Sequence, residues 1–501
     1  MRLATAEPVD TTDAPRAGWK PKPAWWLPAG VAVASAVVFV LVQPYLIDDA
    51  YITLTYAKNL AFHGHWGLIE QGTANTATSP LNVLALAALT FVLRDAVFAA
   101  GVLFVASQVL LVLALRRIGG HAGLPSWFAP LAAGLMLVNP LLVSSIGLEL
   151  TLGAAGVLWL LVFSTERRPV AFGAMVGLLT LIRLDLLVIV VVIFFARRQF
   201  WVGIWRSFFA ALAVILPWYL FSWLALGSAV PDTLIIKTLQ RSWGPWSFTN
   251  GPLVYWRHFP AATALAFLPL VAGGIVGLLW IVRRRKGSEV AGRLTPFAVL
   301  AVAGAVHYLA YSWLDVPPYH WYYAPSLVGA TVFLAAVAAA IGKHQAHALT
   351  LVTSLAVLSA VISFVPGVPR DFVPITSNHA TTAQYEHIGG QLGALTNGRP
   401  VRSAGEVGAL AYYCDCDLLD IFSDRGLVNP AITESKRRSG PLDRALTDAN
   451  FRFLDQTVLP SPADFVLQET TGDLPPDVLA SWDISSPWTG QEHLILRGAH
   501  G

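Results

Sequence analysis

The chain has 501 residues, of which 55% are hydrophobic and only 13% are charged. Soluble globular domains carry about 25% charged residues, so this composition excludes an ordinary soluble protein and predicts a polytopic α-helical membrane protein. The net charge of +3, with no long basic stripe, excludes a nucleic-acid partner.

The chain opens with a polar tail at residues 1–24, followed by an apolar segment at residues 25–46 that carries no charge. This segment is longer than the core of a signal peptide, which spans roughly 7–15 residues. About 20 apolar residues suffice to cross a bilayer. We therefore predict an uncleaved first transmembrane helix.

Further apolar segments recur up to residue 365, and we predict that residues 25–365 form a transmembrane domain of about 11 helices. A twelfth apolar segment, residues 80–93, is short and begins at Ser79-Pro80, which suits the first turn of a helix. We predict that it lies along the outer surface. The eleven predicted spans are approximately 25–46, 96–115, 127–143, 149–163, 170–182, 185–196, 207–226, 260–282, 295–314, 321–341 and 348–365.

The basic residues are distributed unevenly between the predicted loops. Clusters such as Arg116-Arg117, Arg167-Arg168 and Arg283–Lys286 all fall on one side if the eleven segments cross. Cytoplasmic loops carry the excess of Lys and Arg, so this pattern predicts a cytoplasmic N-terminal tail and an extracytoplasmic C-terminus in a multi-pass protein.

Residues 366–501 differ in composition from the preceding region and predict a small extracytoplasmic α/β domain. Residues 465–467 and 494–496 are typical of strands, and residues 406–413 of a helix. Cys414 and Cys416 are separated by one residue, which we judge too close for an ordinary disulfide, so we expect them to be local packing residues.

Two adjacent acids, Asp48 and Asp49, follow the first predicted span and open the first outer loop, residues 47–95. A carboxylate at the bilayer surface can accept a proton from a hydroxyl while the reacting partner stays in lipid. Alternatively, the pair forms a polar stop, with Asp49 capping a helix that ends at Gly64. Adjacent helical residues diverge by about 100°, so one acid would act as base while the other caps, binds a cation or holds the acceptor.

Several short patches from the first loop to the C-terminal region share the pattern of one superfamily. They resemble the GT-C glycosyltransferases, most of all the arabinofuranosyltransferases that cap mycobacterial arabinogalactan. The patches are Ile47-Asp48-Asp49-Ala50-Tyr51-Ile52, Tyr56-Ala57-Lys58-Asn59-Leu60, Thr78-Ser79-Pro80-Leu81, Gly147-Leu148-Glu149, Pro231-Asp232-Thr233 with Lys237, and Gly405–Tyr413 with Asp420 and Gly426-Leu427-Val428.

The chain departs from this pattern at three places. Asp232 replaces the usual Asn, and Arg183-Leu184-Asp185 lacks the Pro that usually follows the Arg. The C-terminal region is also short for a capping arabinosyltransferase. These departures bear on the sugar more than on the superfamily.

The resemblance implies an inverting transferase of the bacterial plasma membrane. Such an enzyme moves one sugar, here arabinofuranose, from a decaprenyl-phosphate or similar polyprenyl-phosphate donor to a cell-envelope glycan such as arabinogalactan. Asp48 or Asp49 would be the catalytic base. Candidate contacts to the donor phosphate are Lys237, Arg183 and Arg241, and candidate substrate-binding residues are Tyr51, Lys58, Glu149, Asp232, His320 and Tyr322.

Several of these residues also have an ordinary structural interpretation. Arg183 can pair with Asp185, and Lys237 can be a surface lysine whose stem packs along apolar groups. Glu149 and His320 can be polar turn or helix-end residues. The aromatic run at residues 317–323 can stack against sugar rings or line a lipid groove, and its ordinary interpretation is an interfacial belt.

No cofactor is assigned with certainty and no metal ligand is predicted, although paired acids could hold Mg²⁺, Mn²⁺ or Ca²⁺. A mannosyltransferase of the same architecture is the nearest alternative function. A transporter or flippase of lipid-linked sugars is disfavoured, because transporters place charged residues near the middle of their spans, whereas here the acids cluster at outer ends. A membrane anchor whose C-terminal domain binds a partner is a third alternative, but it would give Asp48 and Asp49 no function.

Overall fold

A computed structural model describes most of the chain. The predicted N-terminal tail, residues 1–24, and the candidate phosphate contact Arg241 lie outside the described residues. The described residues are 25–69, 72–197, 203–240, 242–341, 345–365, 371–403, 405–414 and 416–499.

The described residues before residue 366 are mainly helical. Among them, 3-10 turns at Gln43–Tyr45, Leu184–Leu186 and His320–Tyr323 connect some of the helices. The helices are α1 (Trp26–Val42), α2 (Asp48–His63), α3 (Pro80–Leu93), α4 (Ala96–His121), α5 (Phe128–Leu137), α6 (Pro140–Ser144), α7 (Leu150–Thr165), α8 (Pro169–Ile182), α9 (Leu187–Ala196), α10 (Ile204–Ala225), α11 (Thr233–Gln240), α12 (Gly251–His258), α13 (Pro260–Arg285), α14 (Glu289–Arg293), α15 (Thr295–Leu314), α16 (Ala324–Ala340) and α17 (Gln345–Phe364).

Each of the eleven predicted spans contains a helix. Within the described residues, six helical segments are long and apolar enough to cross a membrane on their own, whereas the others are shorter. The third predicted span, residues 127–143, is divided at Asn139, whose side-chain oxygen accepts the Leu141 and Leu142 amides at the start of α6. Pro140 has no amide hydrogen and therefore suits the first position of this new helix.

Small residues let several helices of the bundle approach closely. The sharpest case is Gly173 of α8, where an added Cβ would overlap the carbonyl group of Ser207 in α10. Gly304 of α15 and Gly329 of α16 meet the facing backbone in the same way. Close backbone approach through small residues is typical of helices that associate in a bilayer.

The chain after α17 forms an α/β domain around a five-stranded sheet of order β2-β1-β3-β5-β4, in which β1 is parallel to β2 and β3, and β5 is antiparallel to β3 and β4. The predicted domain class and the strands at 465–467 and 494–496 are confirmed. The strands are β1 (Val401–Ser403), β2 (Leu418–Leu419), β3 (Phe465–Thr470), β4 (Val478–Ser486) and β5 (Gly490–Gly498), and the helices are α18 (Thr382–Thr396), α19 (Gly408–Tyr413), α20 (Arg425–Arg438) and α21 (Pro441–Asn450).

The expectation for the two cysteines is wrong, because Cys414 and Cys416 form a disulfide. Cys414 follows α19 with extended backbone, and the two Cα atoms are 5.2 Å apart. This separation falls within the range that disulfides span.

The close approach of α8 and α10 generates a stability prediction. We expect Gly173→Ala to lower the free energy of unfolding by about 1–3 kcal/mol, because the added methyl group meets rigid backbone rather than a movable side chain. Thermal unfolding of the purified protein in detergent measures the change. The matched control is Gly134→Ala in α5, where an added Cβ meets nothing within 4 Å. Equal unfolding temperatures for the two variants would contradict the packing argument.

Candidate active site

The two adjacent acids occupy the first turn of α2. Ile47, in extended conformation, is the N-cap and contributes no side-chain hydrogen bond, so the expectation that Asp49 caps this helix is corrected. Carboxylates are favourable in a first turn because of the partial positive charge of the helix N-terminus. Gly64 ends the helix in the left-handed conformation, as predicted.

Asp48 faces the C-terminal domain. Its Oδ2 accepts the Gly408 amide at 2.9 Å, and its Oδ1 accepts the Ala409 amide at 2.7 Å. The residue is only 4% exposed, and a Cβ on Gly408 would overlap the Asp48 carbonyl oxygen. Both carboxylate oxygens are thus engaged in capping α19.

Burial, together with the Asp49 charge, raises the pKa of Asp48 to about 7, although the backbone amides around it act in the opposite direction. The ionised form has the stronger hydrogen bonds to these amides. We therefore assign the carboxylate primarily to holding the two domains together.

Asp49 points elsewhere. Within the described residues its carboxylate accepts no hydrogen bond and joins no ion pair, and the residue is only partly buried. Burial raises its pKa above the ordinary value of 3.8, the Glu149 charge adds to the rise, and Lys237 opposes it. Asp49 is therefore the acid of the pair whose oxygens are available to take up a proton.

Lys237, on α11, lies in the electrostatic field of Asp49. Its ammonium donates a hydrogen bond to the Tyr319 hydroxyl and lies 3.7 Å from the Tyr319 ring centroid and 5.2 Å from that of Phe422. No carboxylate of the described chain lies within ion-pair distance of this ammonium, and burial lowers its pKa. The cation is held by aromatic rings, without an anion in contact.

Asp420 brings a further acid from the C-terminal domain towards Lys237. Its Oδ1 accepts the amides of Phe422 and Ser423 at 2.9 and 2.8 Å. Burial raises the pKa of Asp420 to about 6, although these amides and the Lys237 charge lower it. The site is thus bordered by both domains.

Arg183, the second candidate phosphate contact, is already paired with acids. Its guanidinium donates to Glu149 and to Asp185, each at 2.9 Å, and Asp185 also accepts from the Tyr311 hydroxyl at 2.8 Å and contacts His307 Nε2 at 2.9 Å. The ion pair with Asp185, which was the structural alternative for Arg183, is therefore present.

An apolar cavity lies inside the helical bundle beneath this network. Arg183 is the charged residue that borders it. Tyr322 links the cavity to Lys237, because the Arg183 guanidinium lies 5.2 Å from the Tyr322 ring centroid and the Tyr322 hydroxyl interacts electrostatically with both cations and with Asp49. Most of the lining is aliphatic, including Met136, Leu150, Val157, Ile189, Leu300 and Val328.

Of the predicted substrate-binding residues, Glu149 and Tyr322 lie close to Asp49 and Lys237, whereas Tyr51 and Lys58 contact α19. The Tyr51 hydroxyl is 3.3 Å from that of Tyr413, and Lys58 Nζ donates to the Tyr412 carbonyl at 3.3 Å. These two contacts extend the attachment that Asp48 begins.

Asp232 and His320 are fully buried. Asp232 accepts the Ser228 hydroxyl at 2.7 Å and forms an ion pair with Arg425 of α20 at 3.2 Å. His320 packs edge-on against the rings of Tyr255 and Trp321. Their proposed contacts with substrate stay predictions, and the structure brings neither into contact with Asp49.

Sequence reasoning did not assign Tyr319, Asp420 and Phe422 to the site. The sequence feature that could have identified Tyr319 is its place in the aromatic run, which can stack against sugar rings. Asp420 and Phe422 follow β2 by a few residues, in a domain whose position over α2 and α11 could not be inferred from local sequence.

Comparison with known proteins identifies a similar fold among solved structures. No protein-family model matches the chain, and no curated protein matches it. The crystal structure of ArnT from Cupriavidus metallidurans bound to undecaprenyl phosphate matches with a TM-score of 0.54 at 15% identity, covering 95% of this chain and 98% of ArnT. ArnT in the apo state matches with a TM-score of 0.50 at 14% identity, covering 94% and 98%.

The match extends over nearly the whole of both chains. It confirms the predicted fold class, a polytopic GT-C-type membrane protein with a small C-terminal α/β domain. At this level of identity the likeness shows the fold alone.

The capping of α19 by Asp48 generates a prediction about domain attachment. We expect Asp48→Ala to accelerate hydrogen exchange at the Gly408 and Ala409 amides, because each loses its buried acceptor at a cost of about 1–3 kcal/mol. Hydrogen-exchange mass spectrometry of the full chain in detergent measures this. Asp424→Ala, which removes the carboxylate that caps α20, is the matched control and should leave α19 unchanged. Unaltered exchange in Asp48→Ala would contradict the role of Asp48.

Proposed function

We propose that the chain is an inverting glycosyltransferase that moves one sugar from a polyprenyl-phosphate donor to a cell-envelope glycan at the outer face of the bacterial plasma membrane. The observation that carries the proposal is the arrangement of Asp49 and Lys237. Among the described residues, an unpaired carboxylate lies in the electrostatic field of an ammonium that no anion contacts, between two domains and near an apolar cavity. A base and an anion site placed together suit transfer from a phosphate leaving group.

The cavity and the two cations support a lipid-phosphate donor. An aliphatic lining suits a prenyl chain. ArnT, which has a similar fold, has been crystallised with undecaprenyl phosphate bound. Lys237 is the leading contact for the phosphate, because charge-assisted hydrogen bonds to phosphate are strong and this cation is unpaired. Arg183, neutralised by Glu149 and Asp185, is better placed to border the phosphate than to neutralise it. Arg241 stays a prediction.

The proposed reaction is a single displacement. Asp49 takes the proton from an acceptor hydroxyl, the oxygen attacks the anomeric carbon from the side opposite the phosphate, and the bond from that carbon to the phosphate oxygen breaks. The electron pair of that bond leaves with polyprenyl phosphate, whose charge Lys237 stabilises. Attack from the opposite side inverts the anomeric configuration.

Aromatic rings beside Lys237 support a glycan as acceptor. The Trp243 ring lies 4.9 Å from that of Tyr319 and 5.8 Å from that of Trp488, at the tip of the β4–β5 hairpin. All three are partly exposed. The negative face of an aromatic ring attracts the polarised C–H groups of a sugar ring, so these residues suit a saccharide better than a purely lipid acceptor.

The identity of the sugar rests on the sequence resemblance, which favours arabinofuranose over mannose. The orientation rests on the distribution of charge. Arg117, Arg168 and Glu166 form one ion-pair group at the end of α4 and α7, and Arg283–Arg285 end α13. An excess of basic residues at these ends supports a cytoplasmic location for them and an extracytoplasmic C-terminal domain.

The assignment of Asp49 as base predicts a loss of turnover in Asp49→Asn. We expect kcat to fall by roughly 10²–10⁴-fold, as is typical when a general base is removed, with binding of the donor retained. Transfer of labelled sugar from a panel of synthetic polyprenyl-phosphate donors, including the arabinofuranosyl and mannosyl forms, measures both turnover and sugar preference. Asp420→Asn is the matched control, since it changes another acid that interacts electrostatically with Lys237. Normal turnover in Asp49→Asn would exclude this mechanism.

The same assignment sets a pH dependence. A base acts only when it is deprotonated, and the pKa of Asp49 is raised above its ordinary value of 3.8. The kcat/KM of the wild type should therefore fall as the pH is lowered through a pKa above 3.8. The pH profile of the residual activity in Asp49→Asn should lack this limb. Retention of the limb in that variant would assign it to another group.

The aromatic acceptor surface predicts a change in KM. Trp243→Ala should raise the KM for the glycan acceptor by roughly two- to tenfold, corresponding to the loss of about 0.5–1.5 kcal/mol of ring contact, with little effect on the donor. Trp243→Phe should restore part of the affinity. Trp313→Ala, at an exposed position at the end of α15, is the control and should leave both constants unchanged. An equal effect on donor and acceptor would indicate a structural role for Trp243.

A further inference from the structure

A group of titratable side chains on the C-terminal domain takes no part in the site described above. It consists of His379, which precedes α18, and two glutamates on adjacent strands, Glu469 of β3 and Glu492 of β5. One ligand atom from each residue can be chosen so that all three atoms lie within 4.8 Å of one another. From this convergence we propose that His379, Glu469 and Glu492 bind one divalent cation of the zinc class.

The sheet register explains why the two glutamates meet. Glu469 is paired with Leu494 in the antiparallel ladder, so Glu492, two residues before Leu494, emerges on the same face of the sheet. Two carboxylates at diagonal positions of one face repel each other unless a cation lies between them. His379 Nδ1 reaches this face and lies 2.7 Å from Glu469 Oε2.

Glu406 positions His379 without being one of the proposed ligands, since its Oε2 accepts the His379 amide at 3.0 Å and the Tyr385 hydroxyl at 2.6 Å. Glu492 Oε2 is also shielded from solvent and accepts no hydrogen bond from the described residues. A ligand on this oxygen would satisfy a lone pair that the protein leaves unused.

The donor set selects the class of ion. One imidazole nitrogen and two carboxylate groups match Zn²⁺, which accepts nitrogen and oxygen ligands in tetrahedral sites and completes its shell with water. Ca²⁺ and Mg²⁺ prefer a larger number of ligands, all of them oxygen atoms.

Gly405 leaves room for the Glu469 carboxylate, because a Cβ at this position would lie 2.6 Å from Glu469 Oε1.

Such an ion would fasten the segment before α18 to the sheet. It would lie beside Glu406. This residue is two positions before Gly408, whose amide donates a hydrogen bond to Asp48. The proposed role is therefore structural, and it does not require the chain to be a glycosyltransferase.

The test uses the full chain in detergent after treatment with a chelator. Titration with Zn²⁺ by calorimetry should show one ion bound per chain, and Co²⁺ should give the visible absorption bands of a low-coordinate site. Glu492→Gln and His379→Ala should each weaken Zn²⁺ binding at least tenfold. Glu492→Gln preserves shape, so its circular dichroism and unfolding temperature without metal should match those of the wild type.

His493→Ala is the matched control. His493 is the next residue on β5 and therefore points to the opposite face, where its Nδ1 pairs with Asp483 at 2.8 Å. This variant should bind Zn²⁺ as tightly as the wild type. Absence of Zn²⁺ binding by the wild type, or equal affinity in Glu492→Gln, would overturn the proposal. Because the readout is metal binding, a negative result here leaves the proposed transfer reaction untouched, and loss of transfer in Asp49→Asn leaves the metal site untouched.

Discussion

The capping of α19 by the Asp48 carboxylate is the contact on which the arrangement of the candidate site depends. Its two oxygens satisfy two amides of a helix that is 360 residues away in sequence. Short charge-assisted hydrogen bonds of this kind are directional, so they fix the orientation of α19 as well as its distance. Tyr51 and Lys58, one and three turns further along α2, contact the other end of α19 and complete the attachment.

Fixing α19 also places the residues that follow it. The chain passes through β2 and then reaches Asp420 and Phe422, which border Lys237. The buried pair of Asp232 and Arg425 attaches the start of α20 to the segment before α11. A buried ion pair is weak evidence for net stability, but breaking it leaves an uncompensated charge, so it opposes separation of the domains. Two separate attachments thus hold the C-terminal domain against the helices that carry Asp49 and Lys237.

Of the three candidate phosphate contacts, Arg183 and Lys237 differ in how their charge is neutralised. Arg183 is surrounded by Glu149 and Asp185, so a substrate anion would find little positive charge left on it. Lys237 has aromatic rings and a phenol hydroxyl as neighbours, which stabilise a cation without cancelling its charge. Because burial disfavours the charged form of Lys237, a bound anion would stabilise that form.

The sequence predicted the parts of this design that are encoded locally. An apolar run followed by two acids, Ser79-Pro80 at the start of α3 and Gly64 at the end of α2 are patterns of a few residues, and they mark the elements correctly. The strand β4 was not predicted because it is an edge strand whose residues are mostly half-buried or exposed, so it lacks the short apolar run that marks β3 and β5. The partner of Asp48 could not be predicted, since nothing near residue 48 specifies which distant amides it will accept.

The geometry of a helix explains how two adjacent acids, Asp48 and Asp49, can have different partners. Adjacent residues of a helix diverge by about 100°, so Asp48 can make an interdomain contact while Asp49 faces a different direction, within the electrostatic field of Lys237. The contact made by Asp48 then fixes the rotation of α2 about its own axis, and that rotation sets the direction of Asp49. In this arrangement the proposed base is oriented by the same turn that docks the C-terminal domain, and neither acid can be replaced by the other.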